Sequence, residues 1–180
     1  MQISSVATNL NIFVENLLFL VTATCFLAGA GWMWRNSKPL GLPLPLPTWF
    51  SVWLSIVLAV GVVLPLVTMV IWGVWWHHQS VLQALVPYFV MLGLQILSES
   101  VTLKRFQSCV WVMVPCVYLP YSIWQLYSGL MLVNLERDLI WVQRLLILEI
   151  VLWIFNYGVH LSQLPRLLRW EVQENKISDA

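Results

Sequence analysis

A glutamate, an asparagine and a histidine interrupt the apolar run LLILEIVLWIFNYGVH, which extends from Leu145 to His160. Glu149, Asn156 and His160 are seven and four residues apart, a spacing that keeps them on one face of an α-helix. Glu149 lies roughly ten residues from the headgroup level on either side of a membrane helix drawn over this run. An ionisable side chain at that depth is costly, and by default it suggests a functional site.

Two neighbouring apolar segments carry similar polar stripes. The first stripe contains Tyr88, Gln95, Glu99 and Thr102, and the second contains Tyr118, Tyr121, Ser122, Gln125 and Ser128. Counted by depth, Glu149 comes level with Tyr121–Gln125, whereas Asn156 and His160 come level with Glu99. These residues would form a midplane layer around Glu149 and an inner layer around Glu99 and His160. We therefore predict that three helices bury one shared polar cluster, consisting of Tyr88, Gln95, Glu99, Tyr121, Ser122, Gln125, Glu149, Asn156 and His160.

This predicted cluster has two interpretations. It could transfer protons or ions through two carboxyl groups and a histidine, or bind a small molecule. It could instead consist of hydrogen bonds that fix the register of packed membrane helices. In either case Glu149 requires a hydrogen-bond partner from another helix. Glu99 has a further alternative, because Lys104 and Arg105 are close enough to form an ion pair with it at the membrane interface.

The elements that position these residues must be membrane helices. Only 9% of the 180 residues are charged and 60% are apolar, whereas soluble domains are about a quarter charged. Lipid must therefore be the solvent for most of the chain. The composition predicts an all-α, polytopic membrane helix bundle, formed by one domain over residues 1–180.

Five apolar segments are long enough to span a bilayer. We place the spans at residues 12–34, 49–76, 81–103, 106–133 and 139–164, followed by a charged tail at 165–180. Four prolines between residues 39 and 47 predict an extended strap after the first span. Pro65 predicts a kink in the second. A four-span arrangement with a re-entrant or surface helix is the alternative, because the third loop is very short.

The loops differ strongly in positive charge. With five spans, one side of the membrane receives seven basic residues, namely Arg35, Lys38, Lys104, Arg105, Arg166, Arg169 and Lys176. The other side receives the N-terminus, His77, His78 and Arg137. Since cytoplasmic loops are enriched in Lys and Arg, this predicts an outside N-terminus and an inside C-terminus.

Several classes of function find no motif. The chain contains no HExxH, GxSxG or P-loop motif, and no Cys/His spacing typical of a metal site. We therefore expect no catalytic residues, no cofactor and no metal. The net charge of +1 does not favour nucleic-acid binding.

Two segments carry a family resemblance. They are VPYFVMLGLQILSES and VPCVYLPYSIW, which contain Pro87, Gln95, Glu99, Pro115 and Tyr118. Over these segments the chain resembles an uncharacterised family of small multi-span membrane proteins of plants and cyanobacteria. The resemblance implies no activity, but it favours a photosynthetic source and hence a bacterial plasma membrane or a thylakoid membrane.

The leading hypothesis is a non-enzymatic interaction or assembly component of a larger membrane complex. Its expected partners are membrane lipid, other membrane proteins or a second copy of the chain. The alternative is a small proton- or ion-coupled transporter or channel that uses Glu149, Glu99 and His160.

Overall fold

The structure, a computed structural model, describes residues 2–33, 48–106 and 110–168. All regular elements in these three ranges are helical. We name them α1 (Gln2–Met33), α2 (Thr48–Leu58, continued to Trp75 by three shorter segments), α3 (Gln79–Phe106), α4 (Val110–Val133) and α5 (Ile140–Leu168). The predicted strap and residues 169–180 of the predicted tail lie outside the described residues.

The ends of the helices differ from the limits of the predicted spans. Helix α1 begins at Gln2 rather than at residue 12, because a helix can continue beyond the apolar run that crosses a membrane. Phe106 belongs to the end of α3 and not to the start of α4. Helix α5 passes through Pro165 and ends at Leu168, since one lost hydrogen bond kinks a helix more readily than it ends one.

The second helix is irregular around Pro65, where the sequence predicts a kink. Two π-helical segments, Ala59–Val63 and Met69–Trp75, flank the short α-helical segment Leu64–Thr68 that contains this proline. In a regular α-helix the N–H of residue 65 would bond to the carbonyl of residue 61. Proline has no N–H, so the Gly61 carbonyl cannot accept this α-helical bond.

Within the residues that the structure describes, four helices are long and apolar enough to cross a membrane. The apolar stretches are Val14–Met33, Ser51–Trp75, Gln79–Lys104 and Ile140–Ser162. Helix α4 is not among the four. It packs against α1, α3 and α5, so lipid does not have to solvate all of its surface.

The core lies between α3, α4 and α5. Helix α2 packs on α3 and α5, and α1 packs on α3 and α4. Leu85, Leu126 and Leu146 are fully buried in the cluster that the three central helices form. A second buried cluster joins α1 to α3 and α4 through residues such as Ala23 and Met91. The two outer helices therefore flank a three-helix centre.

Two short turns meet at one end of the bundle. His77, between α2 and α3, has a φ of 58°, which lies in the left-handed region that non-glycine residues seldom adopt. The Nδ1 atom of His78 lies 3.4 Å from the Oε2 atom of Glu136, in the turn between α4 and α5. The Gln143 side chain donates to the carbonyls of Val133 and Glu136, at 3.3 and 3.2 Å. The contact between His78 and Glu136 joins the two turns at this end of the bundle.

Gly129 sets the separation of α3 and α4. A Cβ atom at this position would lie 2.7 Å from the Cβ of Ala84 and 3.1 Å from its Cα. We expect Gly129→Ala to lower the free energy of unfolding by about 1–3 kcal/mol, because the two backbones must move apart. Unfolding in detergent, followed by circular dichroism, measures this change.

Gly93→Ala is the matched control. Gly93 lies within α3, and nothing lies within 4 Å of a Cβ atom placed there. Alanine is the better helix former, so this variant should be as stable as the parent or slightly more stable. Equal stability of the Gly129 and Gly93 variants would contradict the close approach as a constraint.

Candidate functional site

Glu149 lies on the buried stripe of α5. Val142, Leu146, Glu149, Trp153 and Asn156 recur at steps of four and three residues, and all five are buried. This spacing keeps them on one helix face, which turns toward the other helices. The carboxyl group of Glu149 is completely enclosed, so α5 carries it into the centre of the bundle as the sequence predicts.

A chain of two hydrogen bonds links three helices beside Glu149. The indole N–H of Trp153 in α5 donates to the Tyr88 hydroxyl of α3 at 3.0 Å. The Tyr88 hydroxyl in turn donates to the Gly61 carbonyl of α2 at 2.5 Å. This carbonyl is the one that Pro65 leaves without its α-helical donor. Tyr88 therefore provides the missing donor and joins α2 to α5.

Gly61 allows the indole ring to come this close. A Cβ atom at position 61 would lie 2.9 Å from Cζ2 of Trp153, so a larger residue would push the ring away. A glycine four residues before a proline was the signal in the sequence for this contact. Tyr88 is buried, as the sequence predicts. Gly61 was not predicted as the acceptor of its hydrogen bond.

Neither carboxyl oxygen of Glu149 makes a hydrogen bond among the described residues. The single N–H of Trp153 and the hydroxyl hydrogen of Tyr88 are directed to other acceptors. The expected hydrogen-bond partner from another helix is thus absent from the described part of the chain. A buried polar group without a partner lowers the free energy of unfolding by about 1–3 kcal/mol. The enclosed carboxyl group of Glu149 is such a group.

Asn156 makes a separate contact with α2. Its Oδ1 atom accepts a hydrogen bond from the Trp53 indole at 3.4 Å. This contact lies two turns along α5 from Glu149 and joins the same two helices, α2 and α5. Asn156 therefore contributes to helix association rather than to the environment of Glu99, with which the sequence placed it level.

Glu99 and Gln95 pair within α3. The Gln95 Nε2 atom donates to Glu99 Oε1 at 3.0 Å, and one turn of helix separates the two residues. Nearby, the hydroxyls of Ser98 and Tyr118 lie 3.0 Å apart and join α3 to α4. His160 is partly buried, and no hydrogen bond or ion pair connects it to Glu99 within the described ranges. The predicted inner layer is therefore not assembled.

Tyr121 and Gln125 bond to α1, on another side of the bundle from Glu149. The Tyr121 hydroxyl and Gln125 Nε2 both donate to Oδ1 of Asn16, each at 2.7 Å. Asn16 was not predicted as a partner, because only the polar residues of the third, fourth and fifth spans were compared. The signal was the pair Glu15-Asn16 at the start of an apolar run.

Ser122 is buried, and its hydroxyl oxygen makes no hydrogen bond among the described residues. Within the described part of the chain, hydrogen bonds therefore do not join the nine predicted residues into one network. The structure divides most of them into three groups, around Tyr88 and Glu149, around Gln95 and Glu99, and around Tyr121 and Gln125. Asn156 has its own contact with α2.

No family model, no curated protein and no solved structure matches this chain.

The Tyr88 hydroxyl should stabilise the bundle measurably. Tyr88→Phe removes both hydrogen bonds and leaves the Gly61 carbonyl and the Trp153 N–H buried without partners. We expect the free energy of unfolding to fall by about 1–3 kcal/mol. Tyr127→Phe is the control, since Tyr127 is exposed on α4 and should tolerate the change. A Tyr88→Phe protein that unfolds at the same denaturant concentration as the control would rule out the linking role of Tyr88.

Proposed function

We propose that this chain is a non-enzymatic interaction or assembly component of a larger membrane complex. The observation that carries the proposal is the way the interior polar groups are used. Tyr88 connects α2, α3 and α5, Asn16 connects α1 to α4, and Asn156 connects α5 to α2. Such bonds hold helices in register, and they are what a structural component needs.

The outer surfaces support the same proposal. Helices α1 and α2 expose large apolar side chains such as Leu18, Phe26, Leu54 and Val74. Lipid or the helices of a partner protein can cover these faces. We propose membrane lipid and other membrane proteins as partners, with self-association as a further possibility.

We also propose five spans with the N-terminus outside. Helix α4 has 24 residues and is therefore about 36 Å long, enough to cross a hydrocarbon core of about 30 Å. It packs against three other helices, so lipid does not have to solvate all of its surface. The seven basic residues on one predicted side support the orientation. The bacterial plasma membrane and the thylakoid membrane are the proposed locations.

The alternative is a small proton- or ion-coupled transporter or channel. One observation favours it: Glu149 is buried without a hydrogen-bond partner, a cost that a purely structural role does not require. Against it, no hydrogen bond or ion pair joins Glu149, Glu99 and His160 in the described part of the chain. A conducting route would have to open between three separate positions.

Glu149 variants distinguish the two proposals. In an assembly component, Glu149→Gln should leave stability nearly unchanged. Glu149→Leu should preserve or raise the free energy of unfolding, by up to about 1–3 kcal/mol, because it removes an unpartnered polar group. In a transporter, both variants should fold but abolish proton or ion flux into proteoliposomes. Flux in the parent protein that either variant eliminates would overturn the assembly proposal.

Native mass spectrometry tests the assembly proposal directly. We expect the protein, gently extracted from its native membrane, to retain a second protein at a fixed stoichiometry. Gly93→Ala is the control, because a neutral substitution should leave the bound partner and its stoichiometry unchanged. A bare monomer or homo-oligomer, obtained under conditions that preserve other complexes of that membrane, would favour the transporter instead.

A further inference from the structure

We propose that a cavity between α1, α3 and α4 binds an ammonium group carried on an apolar body. The cavity has a volume of about 230 Å³. It is separate from the surroundings of Glu149 and is independent of the assembly proposal. Its walls are formed by Glu15, Asn16, Gln83, Ala84, Pro87, Tyr121, Trp124, Gln125, Ser128, Gly129 and Leu132.

The charge of the cavity wall favours a cation. Glu15 is the one charged residue among those that line the cavity. A ligand that carries only negative charge would find no basic side chain on this wall. A positively charged group placed near Glu15 would gain a charge-assisted hydrogen bond.

Hydrogen bonds hold two polar side chains of the cavity wall in place. Tyr121 and Gln125 direct their donor groups to Oδ1 of Asn16, which fixes both side chains. An ammonium group carries only donors, which suits the carboxylate of Glu15.

The aromatic side chains provide a second means of recognition. Trp124 lines the cavity and is 55% exposed, so part of its ring is free for a ligand. Phe19 stacks on Tyr121 with 4.0 Å between ring centroids and an angle of 6°, which holds the tyrosine in place. Cations bind well over the faces of indole and phenol rings. Ala84, Pro87 and Leu132 give the apolar body of the ligand a matching surface.

The position of the cavity fits an amine at the membrane boundary. Gln83 lies four residues inside α3, about 6 Å from its first residue, and Leu132 lies in the last turn of α4. This is the end of the bundle where the turns at His78 and Glu136 meet. The ammonium of a lipid headgroup can reach this level, and so can a free amphipathic amine from water. The shared chemistry is the ammonium group.

Native mass spectrometry of the full chain in detergent tests lipid binding. Phosphatidylethanolamine and phosphatidylglycerol with identical acyl chains are the probes. We expect the ethanolamine lipid to bind at least about tenfold more tightly, because only its headgroup carries an ammonium group. Equilibrium dialysis with radiolabelled ethanolamine and with labelled dodecylamine tests the free amine, and binding of either without lipid would identify a soluble source. Equal binding of the two lipids, with no binding of either amine, overturns the proposal.

Two matched pairs of variants locate the site. Glu15→Gln removes the charge and preserves the shape, whereas Asp138→Asn removes a charge at an exposed position outside the cavity. Trp124→Leu removes the aromatic wall, whereas Trp75→Leu removes an indole that is 77% exposed on α2. We expect the cavity variants to weaken binding of the preferred ammonium ligand about tenfold and both controls to leave it unchanged.

The cavity side chains chosen for substitution are partly exposed, so the variants should fold. The unfolding temperature of each variant in detergent checks this. Glu15→Gln and Trp124→Leu proteins that unfold like the parent and bind the ligand with parental affinity would show that binding occurs elsewhere, and the assignment of this cavity would fall. The outcome does not depend on whether the chain retains a protein partner.

Discussion

A proline in α2 creates the requirement around which three helices pack. Pro65 has no N–H, so the Gly61 carbonyl loses its α-helical donor inside an apolar protein. Leaving a backbone carbonyl unsatisfied where water is excluded is costly. The Tyr88 hydroxyl satisfies it and accepts the Trp153 N–H in return. One backbone defect thereby determines where α3 and α5 must place two of their largest side chains.

Glu149 owes its position to the same packing. Trp153 follows it by four residues on the same face of α5, so docking the indole against Gly61 also buries the carboxyl group. Tyr88 and Trp153 have already used their donors on one another and on Gly61. The enclosed carboxyl group is therefore a consequence of the contact beside it, and its cost is offset by the packing of the whole α5 stripe.

The two outer helices use different chemistry. Helix α2 joins the centre through a backbone carbonyl and a tryptophan, Trp53, which bonds to Asn156. Helix α1 joins it through Asn16, which accepts two hydrogen bonds from α4. On the α1 side the polar groups border an open cavity, whereas on the α2 side they are sealed. The molecule therefore combines enclosed polar groups on one side with an accessible polar surface near one end.

The sequence by itself determined the helical class, the approximate limits of the apolar segments and the burial of Tyr88, Gln95 and Glu149. These follow from composition and from the period of the helix. It did not determine which stripes face one another, because a stripe defines only a direction around its own axis. Rotation and lateral neighbours depend on packing, such as the contact of Gly129 with Ala84. For that reason only the tertiary structure decided that Tyr121 and Gln125 bond to Asn16, and that the Tyr88 hydroxyl donates to the Gly61 carbonyl near Pro65.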